Sequence, residues 1–359
     1  MSDFGVYVHV PFCAERCDYC AFVTYVGADE LHETYVQAVI AELERARELG
    51  RLSPASSVFF GGGTPSRLEP DLLASILQAI PRREAAEVTV EVNPEDASAE
   101  RLGALVDAGV TRFSVGIQST APRVLAALGR RHRGGPPDEI AAAISASGAA
   151  TWSADIIIGA SSEHDEDLLA TLDDLLGLNS PPPHLSCYLL SVERGTALSR
   201  DPARHPDDDV QARRYELLDE QLEARGYRWY ELSNWARPGQ ECRHNQLYWS
   251  QGDYLGLGPA AHSHASGRRS WNVASLTTYL ERIAQGEDPT QGVEILSDAE
   301  RALEALSLSL RCSSGVPAES LDADELAGFV ECVGDRLVLT RRGRLMANAV
   351  ATGLRIGQG

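Results

Sequence analysis

The sequence predicts an α/β fold, an incomplete (β/α)6 barrel followed by a C-terminal extension and a small winged-helix-like domain. Short β-rich runs alternate with helical stretches through the first half of the chain, the pattern of repeated β-α units around a parallel sheet. Six such units suggest an open or incomplete barrel. Composition then shifts twice, near residues 227 and 297. With 359 residues, 43% of them hydrophobic, the chain buries a large core and exceeds one average domain.

The strands are read over 5–10, 57–60, 87–92, 111–115, 154–158 and 184–190. Between the first two, Leu31, Tyr35, Val39, Leu43 and Ala46 recur at steps of three or four, which predicts a helix over 29–49. Asp29 is its expected N-cap and Gly50 its stop. Further helices are expected over 70–80, 98–108, 137–146 and 163–176, and another over 211–225, after breakers at Ser180-Pro181-Pro182-Pro183 and 201–209. From 227 to 271 the chain is rich in Trp, Tyr, Gly, Asn and His and reads as an aromatic-bearing strand and loop region. Beyond 297, a helix over 298–310, two short helical pieces, strands near 329–333 and 336–339 and a helix to Leu354 make the winged-helix-like unit, expected to pack on the barrel or cover a site. The expected units are 1–205, 206–295 and 296–359.

Charge narrows the function. Thirty-two basic against 52 acidic side chains leave a formal charge of -20, the wrong sign for neutralising nucleic-acid phosphates or anionic lipid, so no nucleic-acid partner is expected. Every basic side chain is arginine. The absence of lysine removes Schiff-base catalysis, the P-loop lysine and a lowered-pKa amine base. No apolar run approaches the roughly 18 residues of a membrane span, and Met1-Ser2-Asp3-Phe4 lacks the basic start of a signal peptide. A cytoplasmic protein is expected.

Seven cysteines stand at 13, 17, 20, 187, 242, 312 and 332. An odd set with three crowded near one end is not a disulfide framework. After the first strand, His9-Val10-Pro11-Phe12-Cys13-Ala14-Glu15-Arg16-Cys17-Asp18-Tyr19-Cys20 spaces them C-x3-C-x2-C on a loop. A cubane iron-sulfur cluster needs four ligands, so three thiolates leave one iron open to a substrate or cofactor. The alternative is zinc, with His9 as a conceivable fourth ligand. Phe60-Gly61-Gly62-Gly63-Thr64-Pro65-Ser66 ends the second strand, where glycines let backbone approach a ligand. Glu91-Val92-Asn93-Pro94 ends the third and Gly116-Ile117-Gln118-Ser119 the fourth; Leu128-Gly129-Arg130-Arg131-His132 and Ala154-Asp155-Ile156-Ile157-Ile158-Gly159 follow. Asp155 is costly to bury unpaired and should face a ligand or an arginine. Each polar group taken singly is equally well a satisfied cap or a rim salt bridge.

The C-x3-C-x2-C loop with an aromatic before its last cysteine resembles the radical S-adenosylmethionine (SAM) superfamily. That resemblance implies a [4Fe-4S] cluster on Cys13, Cys17 and Cys20 whose open iron chelates SAM and donates the electron that cleaves it to methionine and a 5'-deoxyadenosyl radical. Within the superfamily the strings resemble the coproporphyrinogen dehydrogenase and HemW-type branch, over about 5–354. The family's SAM contacts then fall on Tyr7, Tyr19, Gly62, Gly63, Thr64, Glu91, Gln118, Arg130 and Asp155, some of them serving a second SAM position in the dehydrogenases.

Two features separate the branches. The dehydrogenases carry another cysteine where this chain has Phe22, and Cys242-Arg243-His244-Asn245-Gln246-Leu247-Tyr248-Trp249 contains H-N-x-x-Y-W, which looks like the haem-handling signature of HemW-type haem chaperones. A haem site asks for an axial donor and a flat aromatic wall, which His244 with Tyr248 and Trp249 would provide. His262, His264 and Cys242 are competing donors, and the alternative is a core histidine satisfied by hydrogen bonds. Where the family usually continues the fifth strand with G-L-P-G-Q, this chain has Gly159-Ala160-Ser161-Ser162-Glu163, without the proline that stiffens the loop. The resemblance implies haem, a [4Fe-4S] cluster and SAM as cofactors, and haem-accepting proteins, an electron donor and a second copy of the chain as partners. Other readings are oxygen-independent coproporphyrinogen III dehydrogenation by a SAM-derived radical, or radical SAM chemistry on an unrelated substrate.

Overall fold

The computed structural model describes residues 3–130 and 135–356; Arg131 and His132 of the string quoted above lie outside them. Six parallel strands run side by side in chain order: β1 (Phe4–Val10), β2 (Ala55–Gly62), β3 (Arg82–Val92), β4 (Arg112–Gln118), β5 (Thr151–Ile158) and β6 (His184–Leu189). Each falls on an expected strand. They alternate with α1 (His32–Glu48), α2 (Pro70–Ala79), α3 (Ala99–Asp107), then α4 (Pro122–Ala127) and α5 (Pro137–Ser147), and finally α6 (Asp165–Leu176). Side chains in a strand point alternately to opposite faces. Val6, Val8 and Val10 of β1, Val58 and Phe60 of β2 and Val88, Val90 and Val92 of β3 are buried in the main core with the helices. Tyr7, His9, Phe59, Glu91, Ser114, Gln118 and Asp155 occupy the opposite, polar face.

The extension continues this sheet at both edges. Beyond α7 (Asp208–Ala224) come β7 (Arg228–Glu231) and β8 (Asn234–Ala236); β8 adds antiparallel to β6, and β7 pairs antiparallel with β8 at the edge. After α8 (Arg243–Trp249), β9 (Asp253–Leu257) pairs parallel to β1 and is followed outward by β10 (His262–Ala265), β11 (Arg268–Asn272) and, past α9 (Leu276–Ala284), β12 (Thr290–Ile295). The aromatic-rich region read as strand and loop therefore also holds a helix. The C-terminal segment has its own hydrophobic cluster around Leu310, Val316, Leu337 and Val350. It holds α10 (Asp298–Leu310), a three-stranded sheet of β13 (Val316–Pro317), β14 (Val330–Val333) and β15 (Arg336–Leu339), α11 (Arg341–Leu345) and α12 (Ala347–Ala351). The expected last helix is broken at Met346, and one of the two short helical pieces expected ahead of β14 is a single 3-10 turn over Ala318–Ser320.

One further expectation is corrected. Asp29 does not cap α1, because its carboxylate takes Arg67 at 2.9 and 3.0 Å, and a 3-10 turn over Asp29–Leu31 leads into the helix. Gly50 does end it, in a left-handed conformation at φ +68°.

A buried charge cluster ties the C-terminal segment to α7. Asp219 accepts from Trp235 Nε1 at 2.7 Å, from Arg344 at 2.9 and 2.7 Å and from Arg341 Nε at 2.5 Å. Burial works against this carboxylate, but Arg344, Trp235 and Arg341 outweigh it and hold its pKa below the usual range. A depressed carboxyl adds stability above its unfolded value that is lost as pH falls through the folded one. Asp219→Asn leaves the buried Arg344 guanidinium uncompensated. It should cost about 3–5 kcal/mol, read as a lower urea midpoint at pH 7, with the gap to the parent narrowing in acid.

Candidate functional site

The carboxyl ends of the parallel strands gather all but one of the cofactor-binding residues predicted from sequence. Gly63 N–H donates to the Val10 carbonyl at 2.8 Å and Thr64 N–H to the Phe12 carbonyl at 2.7 Å, so the glycine run lies flat along the start of the cysteine loop. A Cβ on Gly63 would sit 2.7 Å from Phe12 O and 2.8 Å from Val10 O, and one on Gly62, at φ +108°, 2.4 Å from the His9 ring. Only glycine allows this approach. Thr64 Oγ1 then points to Cys13 Sγ at 3.6 Å and accepts from Asn93 Nδ2 at 3.1 Å.

Cys13, Cys17 and Cys20 are free and half-buried. Burial, opposed by the Thr64 hydroxyl, pushes the Cys13 thiol up to about 11, and burial likewise raises Cys20. Among the described residues, no three His, Cys, Asp or Glu side chains are grouped to hold one metal ion. A closed zinc site needs a fourth ligand, and His9, the candidate for it, is hydrogen-bonded at both ring nitrogens. Its Nε2 donates to the Val23 carbonyl at 2.9 Å and its Nδ1 takes the Tyr7 hydroxyl at 3.2 Å. A cubane instead spreads its thiolates over separate irons.

Behind the loop lie two half-buried carboxyls. Glu91 Oε2 accepts Gly62 N–H at 3.0 Å; burial and the nearby Asp155 push its pKa up to about 8. Asp155, raised by burial to about 6 against its serine partners, accepts Ser114 Oγ at 2.8 Å through Oδ2. Among the described residues its Oδ1 has no hydrogen-bond partner. Gln118 carries a left-handed backbone at φ +65° beside a register shift in the β4–β5 ladder, the kind of strain that persists where surroundings enforce it. Arg130 reaches Asn93 Oδ1 at 3.2 Å and hydrogen-bonds Tyr19, while its Nε is buried without a partner among the described residues. Arg130 thus lies beside the thiols and two acidic side chains, Glu91 and Asp155, lie on the polar face of the sheet behind the loop, a lining suited to a zwitterionic or cationic ligand.

Comparison with known proteins bears on this arrangement. The radical SAM superfamily profile matches residues 7–175. A heme chaperone HemW of Mycobacterium tuberculosis is 42% identical, over 97% of this chain and 94% of its own. The heme chaperone HemW of Escherichia coli K12 is 31% identical over 98% and 97%. The chain belongs to the HemW-type radical SAM family. In fold it is similar to coproporphyrinogen III oxidase (HemN) of Escherichia coli, a radical SAM enzyme, with a TM-score of 0.83 at 22% identity, over 98% of this chain and 89% of that one. No helix among the described residues is long and apolar enough to cross a membrane.

In this HemW-type chain the family's usual proline loop after β5 is replaced by a polar clasp. Glu163 Oε2 accepts Gly159 N–H at 2.6 Å and Arg214 Nη1 at 3.1 Å, and Arg214 also donates to the Glu163 carbonyl. The loop expected to be looser is tied to α7 instead. The sequence reading also missed Asp18 as a positioning residue. Its backbone bonds Leu128 O at 3.2 Å and Leu198 N at 2.8 Å, its carboxylate takes Arg204 at 2.6 Å, and it thereby pins the cysteine loop from outside. Its place between two cysteines was the available signal.

His244 does not join the set. It lies toward the other end of the strands, below Phe59, with Nδ1 at 2.9 Å from Ser57 Oγ and Nε2 at 2.9 Å from Tyr248 OH. Burial drives its pKa down to about 3. Iron ligation through Nε2 would require displacing Tyr248 and opening a residue that is 1% exposed. In this structure the buried His244 of H-N-x-x-Y-W packs edge-on against the half-buried Tyr248 of the same motif, which packs in turn against Tyr254.

Proposed function

We propose that the chain is a cytoplasmic haem-binding chaperone that carries a [4Fe-4S] cluster and SAM and delivers haem to acceptor proteins, with an electron donor serving the cluster. Likeness along nearly the whole length of relatives named heme chaperones carries this reading. The lining fits the cofactors: soft thiols on a half-buried loop, a glycine cradle that a Cβ would fill, and buried polar atoms at Asp155 Oδ1 and Arg130 Nε that lack partners among the described residues. Cys13, Cys17 and Cys20 would hold the cluster. When bound, it supplies a one-electron donor and an open iron for the amino and carboxylate groups of SAM.

The chain's own residues do the rest. Gly62, Gly63 and Thr64 give the ligand backbone access beside Cys13, Glu91 and Asp155 meet its positive charge, and Arg130 with Tyr19, Tyr7 and Gln118 bounds it. At neutral pH Glu91 keeps its proton, so a cationic ligand must displace it. SAM affinity should therefore rise as pH goes from 6 to 8.5 in calorimetric titrations of the cluster-loaded protein, and Glu91→Gln should bind several-fold more weakly with that slope flattened.

Anaerobically prepared protein should contain iron and sulfide and bind ferric haem saturably, without converting coproporphyrinogen III. Catalytic product formation would replace the chaperone reading with a dehydrogenase; zinc, or no metal, at the loop would remove the cofactor half.

A further inference from the structure

Among the described residues three tyrosine hydroxyls lie against histidine nitrogens: Tyr7 against His9 Nδ1 at 3.2 Å, Tyr230 against His184 Nε2 at 2.8 Å and Tyr248 against His244 Nε2 at 2.9 Å. The first and third are joined by rings. Tyr7 and Phe59 are register partners on β1 and β2, which puts them side by side on the polar face, stacked with centroids 6.3 Å apart at 26°. Phe59 stacks on His244 at 5.3 Å and 28°, and His244 meets Tyr248 edge-on at 4.8 Å. Tyr248 then meets Tyr254 at 4.6 Å. The ladder runs from Tyr7, in the candidate cofactor site, into the H-N-x-x-Y-W motif.

We propose that Tyr248 is a one-electron redox site, with His244 as its proton acceptor and Phe59 and Tyr7 as its path to the candidate cofactor site. In the tautomer this requires, the Tyr248 hydroxyl donates to Nε2, and Nδ1–H donates to Ser57 Oγ at 2.9 Å. The step balances within the pair. The phenol gives one electron to the oxidant and its proton to Nε2, so an O–H bond breaks, an N–H bond forms, and a neutral phenoxyl radical is left beside an imidazolium. Reduction by one electron returns the proton. Burial keeps the phenol protonated and the imidazole neutral beforehand, so the pair starts uncharged, and an oxidised phenol is acidic enough to protonate even this imidazole. The oxidant is of the class that peroxide makes from an iron porphyrin, and an electron drawn from Tyr248 would spare the macrocycle. That use rests on the haem reading above; the redox couple does not.

Photogenerated ruthenium(III) tris-bipyridine, added to the full-length chain and frozen for electron paramagnetic resonance, tests the couple. The parent should trap a tyrosyl radical that shows an exchangeable hydrogen-bonded deuteron in heavy water. Tyr248→Phe should lower its yield at least fivefold, and Tyr230→Phe should keep it. No tyrosyl radical in the parent, or an equal yield in Tyr248→Phe, overturns the assignment. With ferric haem bound, hydrogen peroxide should bleach the Soret band at least threefold faster in Tyr248→Phe than in the parent. Equal bleaching overturns the protective use and leaves the couple. A parent that binds no haem overturns the haem reading with that use, and the resonance result still decides the couple.

Discussion

Cys20→Ala should strip the protein of its iron while leaving it folded. A cubane held by three thiolates keeps two, so iron should fall from about four per chain to below one, with loss of visible absorbance and at least a tenfold loss of SAM affinity. The fold should survive because Cys20 itself belongs to no hydrophobic core cluster and its N–H only closes a turn onto Cys17 O, while Phe12, which does enter the main core, is untouched. Circular dichroism and the urea midpoint of the metal-free protein should match the parent. A variant that retains full iron and sulfide would overturn the cluster assignment. Because Cys13 holds its proton up to about 11, loading the loop must release protons, so cluster assembly in the parent should slow as pH is lowered.

Gly63→Ala should damage the same site without touching a donor atom. Its new methyl would meet the Phe12 carbonyl, the Val10 carbonyl and the Phe12 nitrogen at 2.7, 2.8 and 2.9 Å, all backbone atoms that cannot swing aside. Either β2 separates from the cysteine loop or the loop shifts, and overpacking of this kind costs about 1–3 kcal/mol. Displacing Thr64 also removes the hydroxyl from Cys13. The expected result is a lower urea midpoint together with SAM binding weakened at least tenfold. Gly103→Ala is the contrast: a Cβ there meets nothing within 4 Å in the middle of α3, so it should stabilise by about 0.5–1 kcal/mol and leave SAM binding alone. Equal behaviour of the two variants would show that the glycine cradle is not as tight as described.

Long, regular elements were legible in the sequence because their periodicity is set by the face they bury. All six central strands and α1, α2, α3, α5, α6, α7 and α10 fall where apolar spacing places them, within a few residues. Short elements were not. The seven residues of α8 bury His244 and Leu247, two positions, too few to reveal a helical period. Strand β13 has two residues and exists because β15 pairs with it. Asp29 has the residue type of an N-cap, but Arg67, 38 positions away, holds its carboxylate instead.

The sequence by itself determined which chemistry the chain carries and in what order: three closely spaced thiols, a glycine run and single polar residues at successive strand ends, all of which depend on residue type and local spacing. Tertiary structure decided which groups are open. His244 and His262 are the same residue 18 positions apart, yet one is walled in by Ser57, Phe59 and Tyr248 while the other stands exposed beside Trp271. Burial and hydrogen-bond satisfaction belong to neighbours brought in from distant strands, so no local pattern could rank the two imidazoles as iron donors.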